Sequence, residues 1–474
     1  MKTYPVYLNG GFVTTDSGIP VVNPATAEPF ARMSTVPRAA VAQAIGDGHE
    51  AFARWRQTTG QARGEYLQQI AAGLERRRDE VARLITMENG KPLAQSAAEV
   101  AMSVDHLHWF AEEARRTYGR TIPHQVAGKR HLVVKTPMGV AGAISPWNFP
   151  LVLAVRKVAP ALAAGCTVVL KPASATPLSA VAFAECAHAA GLPKGVFQLV
   201  AGKAADIAQE FLDNPRCRKI TFTGSTEVGR GLIAGAAAGV KPLSLELGGH
   251  SPVLVFDDAD FERAIEGAMI AKFRNTGQSC IAANRIYVQR GIYDRFVAAF
   301  VGRVKSLKVG NGLEPGVEIG AVINQEGLEK ALEHLRDARA KGAELRCGGG
   351  RWGNGPGWFL EPAVLTGVPD HALGMGEETF APVAYVNPFE TEAEAVQRAN
   401  HTNYGLAAYV FTRDLSRAFR LMESLEAGMI GLNDAVPTAT QAPFGGVKQS
   451  GWGRELGAEG IDAFLDTKHV SLAI

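Results

Sequence analysis

The strongest constraint on the fold is a pattern that begins at residue 138. A short apolar run, a turn and a segment of helical period follow one another repeatedly. The runs 140–145, 167–172, 195–200, 219–224 and 243–248 read as strands, with helices over 151–165, 177–190, 205–213 and 226–238 between them. Strands that are apolar throughout, without alternation, are buried on both faces. Alternating with helices, they build βαβ units in a parallel sheet. A second series follows, with strands at 252–257, 285–289, 363–368, 383–389 and 407–412 and helices at 260–273, 293–306, 325–341 and 392–400. The expected fold class is therefore α/β, with two doubly wound parallel sheets and a division near residue 249.

The stretch before residue 138 is different. Residues up to about 35 are rich in Gly, Pro, Thr and Asn and read as short strands and turns. The spacing then predicts helices over 38–58, 62–88 and 94–117. Residues 118–137 are polar and strand-like, an excursion from a domain. The tail FLDTKHVSLAI alternates apolar residues like an edge strand.

Charge and cysteine content narrow the function. Lys plus Arg is 49 against 47 Asp plus Glu, and this balance argues against a dedicated nucleic-acid binder. The start MKTYPVYLNGGF lacks the apolar core of a secretory signal. The five cysteines (166, 186, 217, 280, 347) form no C-x-x-C pair, so no metal site and no disulfide framework is expected, and the reading is cytoplasmic.

Three residues stand out for chemistry. Cys280 lies in a Gly-containing turn between a helix and a strand, where a thiol can face a cleft. Cys166 and Cys186 sit in apolar surroundings and read as packing, and Cys217 and Cys347 have no base nearby. Glu246 interrupts the strand LSLELGG, at the end of a strand where α/β proteins build their sites. Asn148, in SPWNFP, is an amide held between prolines that can donate to an oxyanion. Thr223, Gly224 and Ser225 join a strand to a helix, where N–H groups meet phosphate. Lys171 ends another strand. No G-x-G-x-x-G follows the first strand.

Together the segments PWNFP (146–150), KP (171–172), FTGSTEVG (222–229), LELGG (245–249), GQSC (277–280), EETF (377–380) and PFGGVKQSGWGRE (443–455) resemble the aldehyde dehydrogenase superfamily, in its order and over nearly the whole chain. KFRNTGQSC and RKVAPALAAGCTVVLKPAS resemble its NADP-preferring succinate-semialdehyde dehydrogenases. The resemblance implies Cys280 as nucleophile, Asn148 in the oxyanion hole and Glu246 as the base that hydrolyses a thioester. It implies cofactor contacts at Ser145, Pro146, Trp147, Lys171, Ser174, Gly202, Thr223, Gly224, Ser225, Leu247, Glu378 and Phe380. Ser174 stands where NAD-specific relatives often carry Glu, so NADP is expected, with NAD possible. Arg156 and Arg274 match a carboxylate clamp. Ala439 replaces a small polar residue of some relatives, and Thr438 or Thr440 is the substitute.

The resemblance also implies an organisation. Residues 1–117 and 138–249 would form the cofactor-binding domain and 250–442 the catalytic domain. Residues 118–137 and 458–474 would form a β oligomerisation arm of a homodimer or homotetramer, with 443–457 a returning linker. The expected reaction is NADP-dependent oxidation of succinate semialdehyde to succinate. The alternatives are glutarate semialdehyde, 2-oxoglutarate semialdehyde, sulfolactaldehyde or a neutral aldehyde; the last needs an aromatic entrance, for which Phe149, Phe273 and Phe444 are available. No nucleic-acid or membrane partner is expected.

Overall fold

The structure is a computed structural model and describes residues 1–474. Five parallel strands form the centre of the first sheet, in the order Leu243–Glu246, Cys217–Thr223, Val140–Ile144, Thr167–Lys171, Phe197–Leu199. Every residue of Thr167–Lys171 is buried, as a central strand between two helix layers requires. Val6–Leu8 and Gly11–Val13 extend one edge antiparallel, and Gly451–Trp452 extends the other. The helix Val152–Ala164 is buried along its whole length. A helix apolar on all sides belongs between layers, and this one carries Arg156 into the interior.

The second sheet has seven strands. Ala363–Thr366, Val383–Phe389, Ala283–Gln289, Ser251–Val255, Ala407–Phe411 and Met429–Leu432 are parallel in that order, and Glu344–Cys347 is antiparallel at one edge. The larger apolar core is continuous from residues of the first sheet to residues of the second. A second core, around Leu254, Tyr287, Leu365 and Val383, fills the other face of the second sheet.

Several expectations are corrected in detail. The helix predicted over 62–88 is two helices, Gly60–Arg76 and Arg78–Asn89. Arg77 leaves helical geometry (φ −105°, ψ 15°), and its guanidinium bonds Glu80 and Glu185. Residues 443–457 do more than return the chain. Gly451–Trp452 pairs with Leu243–Glu246, and Val447–Lys448 pairs with Tyr404–Gly405. Arg120–Ile122, Lys129–Pro137 and Leu465–Ala473 form a separate antiparallel ribbon, with register from Leu465↔Pro137 to Ala473↔Lys129. Glu344–Cys347, Met429–Leu432 and the helix Leu415–Ser424 have no counterpart in the sequence reading. No helix is long and apolar enough to cross a membrane.

Candidate active site

Parallel strands present their C-terminal ends along one edge. Glu246, Thr223 and Lys171 each end a strand of the first sheet, and Ser145 follows the end of another. The registers Thr223↔Glu246 and Ile144↔Lys171 place them side by side.

Cys280 reaches this edge on a strained loop. The helix Phe261–Phe273 ends, and Asn275 (φ 53°), Thr276 (φ 56°) and Gly277 (φ 73°) follow in left-handed geometry. Two non-glycine residues in that region cost about 1–3 kcal/mol each, so the surroundings must hold them. Asn275 Nδ2 donates to the carbonyls of Asn148 and Gln278, both at 2.9 Å. Thr276 Oγ1 accepts from Gly320 N at 3.0 Å, and Gln278 Oε1 accepts from Ile323 N at 2.9 Å. Gly277 admits no side chain, because a Cβ there would lie 2.3 Å from the Ala381 carbonyl.

The Pro146–Pro150 segment is held as firmly. Lys91 Nζ donates to the Asn148 carbonyl at 2.6 Å and to Glu99 Oε2 at 2.7 Å. Glu99 Oε1 accepts from Leu151 N and Val152 N, at the start of the helix that carries Arg156. Asn89 Nδ2 donates to the Trp147 carbonyl at 2.9 Å. Asn148 is thus fixed with its amide 3.2 Å from the Gln278 carbonyl, two residues before Cys280.

Two cavities meet at Cys280. One, of about 200 Å³, is walled by Pro146, Trp147, Thr223, Gly224, Glu378 and Phe380, and Asn148, Ser225 and Leu247 also border it. The Trp147 and Phe380 rings meet edge to face at 5.3 Å. The other, of about 30 Å³, is walled by Arg156, Arg274, Phe149, Phe444 and Thr438. Both guanidiniums lie over rings: Arg156 is 4.6 Å from the Phe444 centroid and Arg274 is 5.5 Å from that of Phe149. Neither makes a hydrogen bond or ion pair within the protein, although Arg156 is only 5% exposed and its Nε has no partner.

The electrostatics divide between the two walls. Burial pushes the Cys280 thiol up to about 12; Glu378 and Glu246 add to this and Arg156 opposes it. Burial, then the Glu455 carboxylate, raises Glu246 well above the carboxylate range, against Lys157. Glu246 Oε2 has no partner. Burial raises Glu378 to about 7, although its Oε1 accepts from Gly249 N at 3.2 Å. Burial lowers Lys171 to about 8 and lowers both Arg156 and Arg274.

Not every residue named from the sequence reaches the cavities. Ser145, Lys171, Ser174, Gly202 and Glu246 lie outside both linings. Ser145 is buried with its hydroxyl unpartnered, as is the Thr223 hydroxyl. Ser174 is exposed beyond Lys171, and Gly202 is packed beneath the Val36 carbonyl. The Ser225 hydroxyl caps the helix Thr226–Ala237 by accepting from Val228 N. Of the two threonines offered for the clamp, Thr438 lines the small cavity, whereas Thr440 bonds Asp105. Lys91, Glu99, Asn275 and Gln278 were missed. Only Asn275 and Gln278 had a local signal, their proximity to Cys280.

A cysteine loop and a Pro-held asparagine, tied together where two α/β sheets meet, define a class, and the chain belongs to it: residues 12–470 match the model of the aldehyde dehydrogenase family. Among its relatives, a glutarate-semialdehyde dehydrogenase of Pseudomonas aeruginosa is 48% identical, covering 98% of this chain and 97% of that one. An NADP succinate-semialdehyde dehydrogenase of Escherichia coli is 45% identical, covering 98% and 97%. The crystal structure of a succinate-semialdehyde dehydrogenase from Burkholderia pseudomallei superposes with a TM-score of 0.98 at 45% identity, covering 99% and 98%.

Proposed function

We propose that this enzyme oxidises a short aldehyde carrying an anionic group at its far end, succinate semialdehyde first, with NADP. The observation that carries this reading is the pair of unpaired guanidiniums, buried Arg156 and half-buried Arg274, in one small cavity with Cys280. An unpaired buried charge is costly, and a ligand carboxylate removes that cost with charge-assisted bonds. Phe149 and Phe444 line the cavity with their rings against the two arginines, so its aromatic faces are engaged by guanidiniums and the charge, not the rings, sets the preference.

In this reading the Cys280 thiol loses its proton to solvent and its Sγ forms a bond to the aldehyde carbon. The carbonyl oxygen takes the negative charge and accepts from the Asn148 amide and the Cys280 N–H. Glu246 later takes a proton from water; the new C–O bond forms, the C–S bond breaks and the thiolate leaves. The larger cavity and the strand ends around it fit a nicotinamide dinucleotide. The unpartnered hydroxyls of Ser145 and Thr223 and the buried, unpaired Lys171 need polar partners, and the N-terminus of Thr226–Ala237 suits phosphate. Lys171 and Glu378 would hold the riboses. When bound, the oxidised nicotinamide supplies a hydride acceptor. Exposed, neutral Ser174 leaves room for a 2′-phosphate that a Glu would repel.

The ribbon Arg120–Ile122, Lys129–Pro137 and Leu465–Ala473 serves as the arm to a second copy. Supporting this, Leu465–Ala473 and Met429–Leu432 are both unpaired sheet edges. The solution mass, by light scattering, tests that part. Five free thiols suit a reducing cytoplasm. The activity is tested by reduced-nicotinamide formation with succinate semialdehyde, glutarate semialdehyde, sulfolactaldehyde and pentanal, each with NADP and with NAD. Succinate semialdehyde with NADP should be fastest; equal rates with pentanal would refute the anionic-substrate reading.

A further inference from the structure

A third and larger cavity, of about 430 Å³, borders the small one. The two share Met102, Phe149 and Arg274. Its walls come from the helix Leu93–Glu113, the helix Phe261–Phe273 and the segment 303–319. Ten of its sixteen lining residues are hydrophobic, among them Ala98, Ile270 and Val317, so it suits an apolar body and not a sugar or a nucleotide. At the outer rim Glu266 and Arg303 pair at 2.9 Å and so satisfy each other. At the inner end Arg274 has no protein partner. The chamber is therefore mainly apolar; besides that rim pair its polar wall groups are Gln95, which accepts from Asn275 N, Glu318, whose carboxylate accepts from Lys308 N, and the unpaired Arg274 at the end shared with the small cavity.

We propose that this chamber binds medium-chain monocarboxylates, with the alkyl tail along Ala98, Ile270 and Val317 and the carboxylate on Arg274, and that such a ligand excludes the anionic aldehyde. Neither half of the ligand suffices. A short carboxylate leaves the apolar wall wet, and an alcohol of the same length leaves the guanidinium unpaired. Competition with the aldehyde rests on the reading of Arg274 as a substrate contact; binding in the chamber does not.

The test has two readouts on the full-length enzyme. Calorimetry measures the binding of octanoate, butanoate and octan-1-ol. Steady-state rates then measure octanoate inhibition against succinate semialdehyde. Octanoate should bind at least tenfold more tightly than either of the others and should raise KM without lowering kcat. Ile270→Asn makes the partly exposed chamber wall polar without adding a charge beside Arg274. It should weaken octanoate at least tenfold and leave the uninhibited rate within twofold. Should that variant not fold, Ala98→Leu, on an exposed helix position, narrows the chamber to the same effect. Octan-1-ol or butanoate binding as tightly as octanoate would overturn the proposal, as would octanoate binding unchanged in either variant. If octanoate binds as expected but does not compete, the chamber site stands and the shared role of Arg274 falls.

Discussion

The two cavities that meet at Cys280 handle buried charge in opposite ways. The larger one and the strand ends beside it hold carboxylates, Glu378 and Glu246, whose protonation burial favours. A buried acid can relieve its desolvation by taking a proton. The smaller one holds two guanidiniums, which have no such escape. Only the arginine wall therefore demands a counter-ion from its ligand. The lesson is that substrate charge is read more safely from the groups that cannot neutralise themselves than from the sum of charges around a site.

This contrast breaks most sharply at Glu246. The Glu246→Gln variant should lower steady-state turnover about 10³-fold, in the middle of the range for general-base loss, while a first-turnover burst of reduced nicotinamide survives. Loss of the burst as well would place Glu246 in the first step. The sign of its shift also sets a pH limit. A base raised above the carboxylate range is deprotonated only as pH rises through that raised value. The acid limb of kcat should therefore lie above the usual carboxylate range, and a limb near pH 4 would contradict the burial argument.

Next in size is the support beneath both cavities. Lys91 and Glu99 are fully buried and paired at 2.7 Å. Removing one partner leaves an uncompensated buried charge, so Lys91→Met should cost about 3–5 kcal/mol in urea unfolding. It should also lower kcat, because Lys91 holds the Asn148 carbonyl.

The thiol sharpens the comparison further. With Cys280 pushed up to about 12 in the cofactor-free protein, its alkylation by iodoacetamide should rise about tenfold per pH unit from 7 to 10. A plateau below pH 9 would show that Arg156 outweighs burial and the two carboxylates. The smallest effect is expected at Ser174, which is exposed. Ser174→Glu should weaken NADP about fivefold by screened repulsion and leave NAD within twofold, checked by KM for each.

What was legible in the sequence follows the range of the interactions. The strands Val140–Ile144 and Ala407–Phe411 are continuous apolar runs and could be read locally. The break at Arg77 could not, since the residues that hold it include Glu185, more than a hundred positions away. The same holds for Glu99, whose partners are Lys91 and the backbone at 151–152. Cys280, Asn148 and Glu246 announced themselves by their settings, each beside a Gly or Pro turn. The choice between Thr438 and Thr440 turned on Asp105, on a distant helix. Edge strands such as Gly451–Trp452 are too short to show a period.

The anionic-substrate claim is tested most directly by one ratio, kcat/KM for succinate semialdehyde over that for pentanal, in the native enzyme and in Arg156→Met. A lost charge-assisted contact is worth about 1.5–3 kcal/mol. The native ratio should therefore exceed tenfold, and the variant should lower it by about 10–10²-fold with the pentanal rate nearly unchanged. A native ratio near one, or a ratio the variant does not move, would make the arginine pair structural and contradict the account.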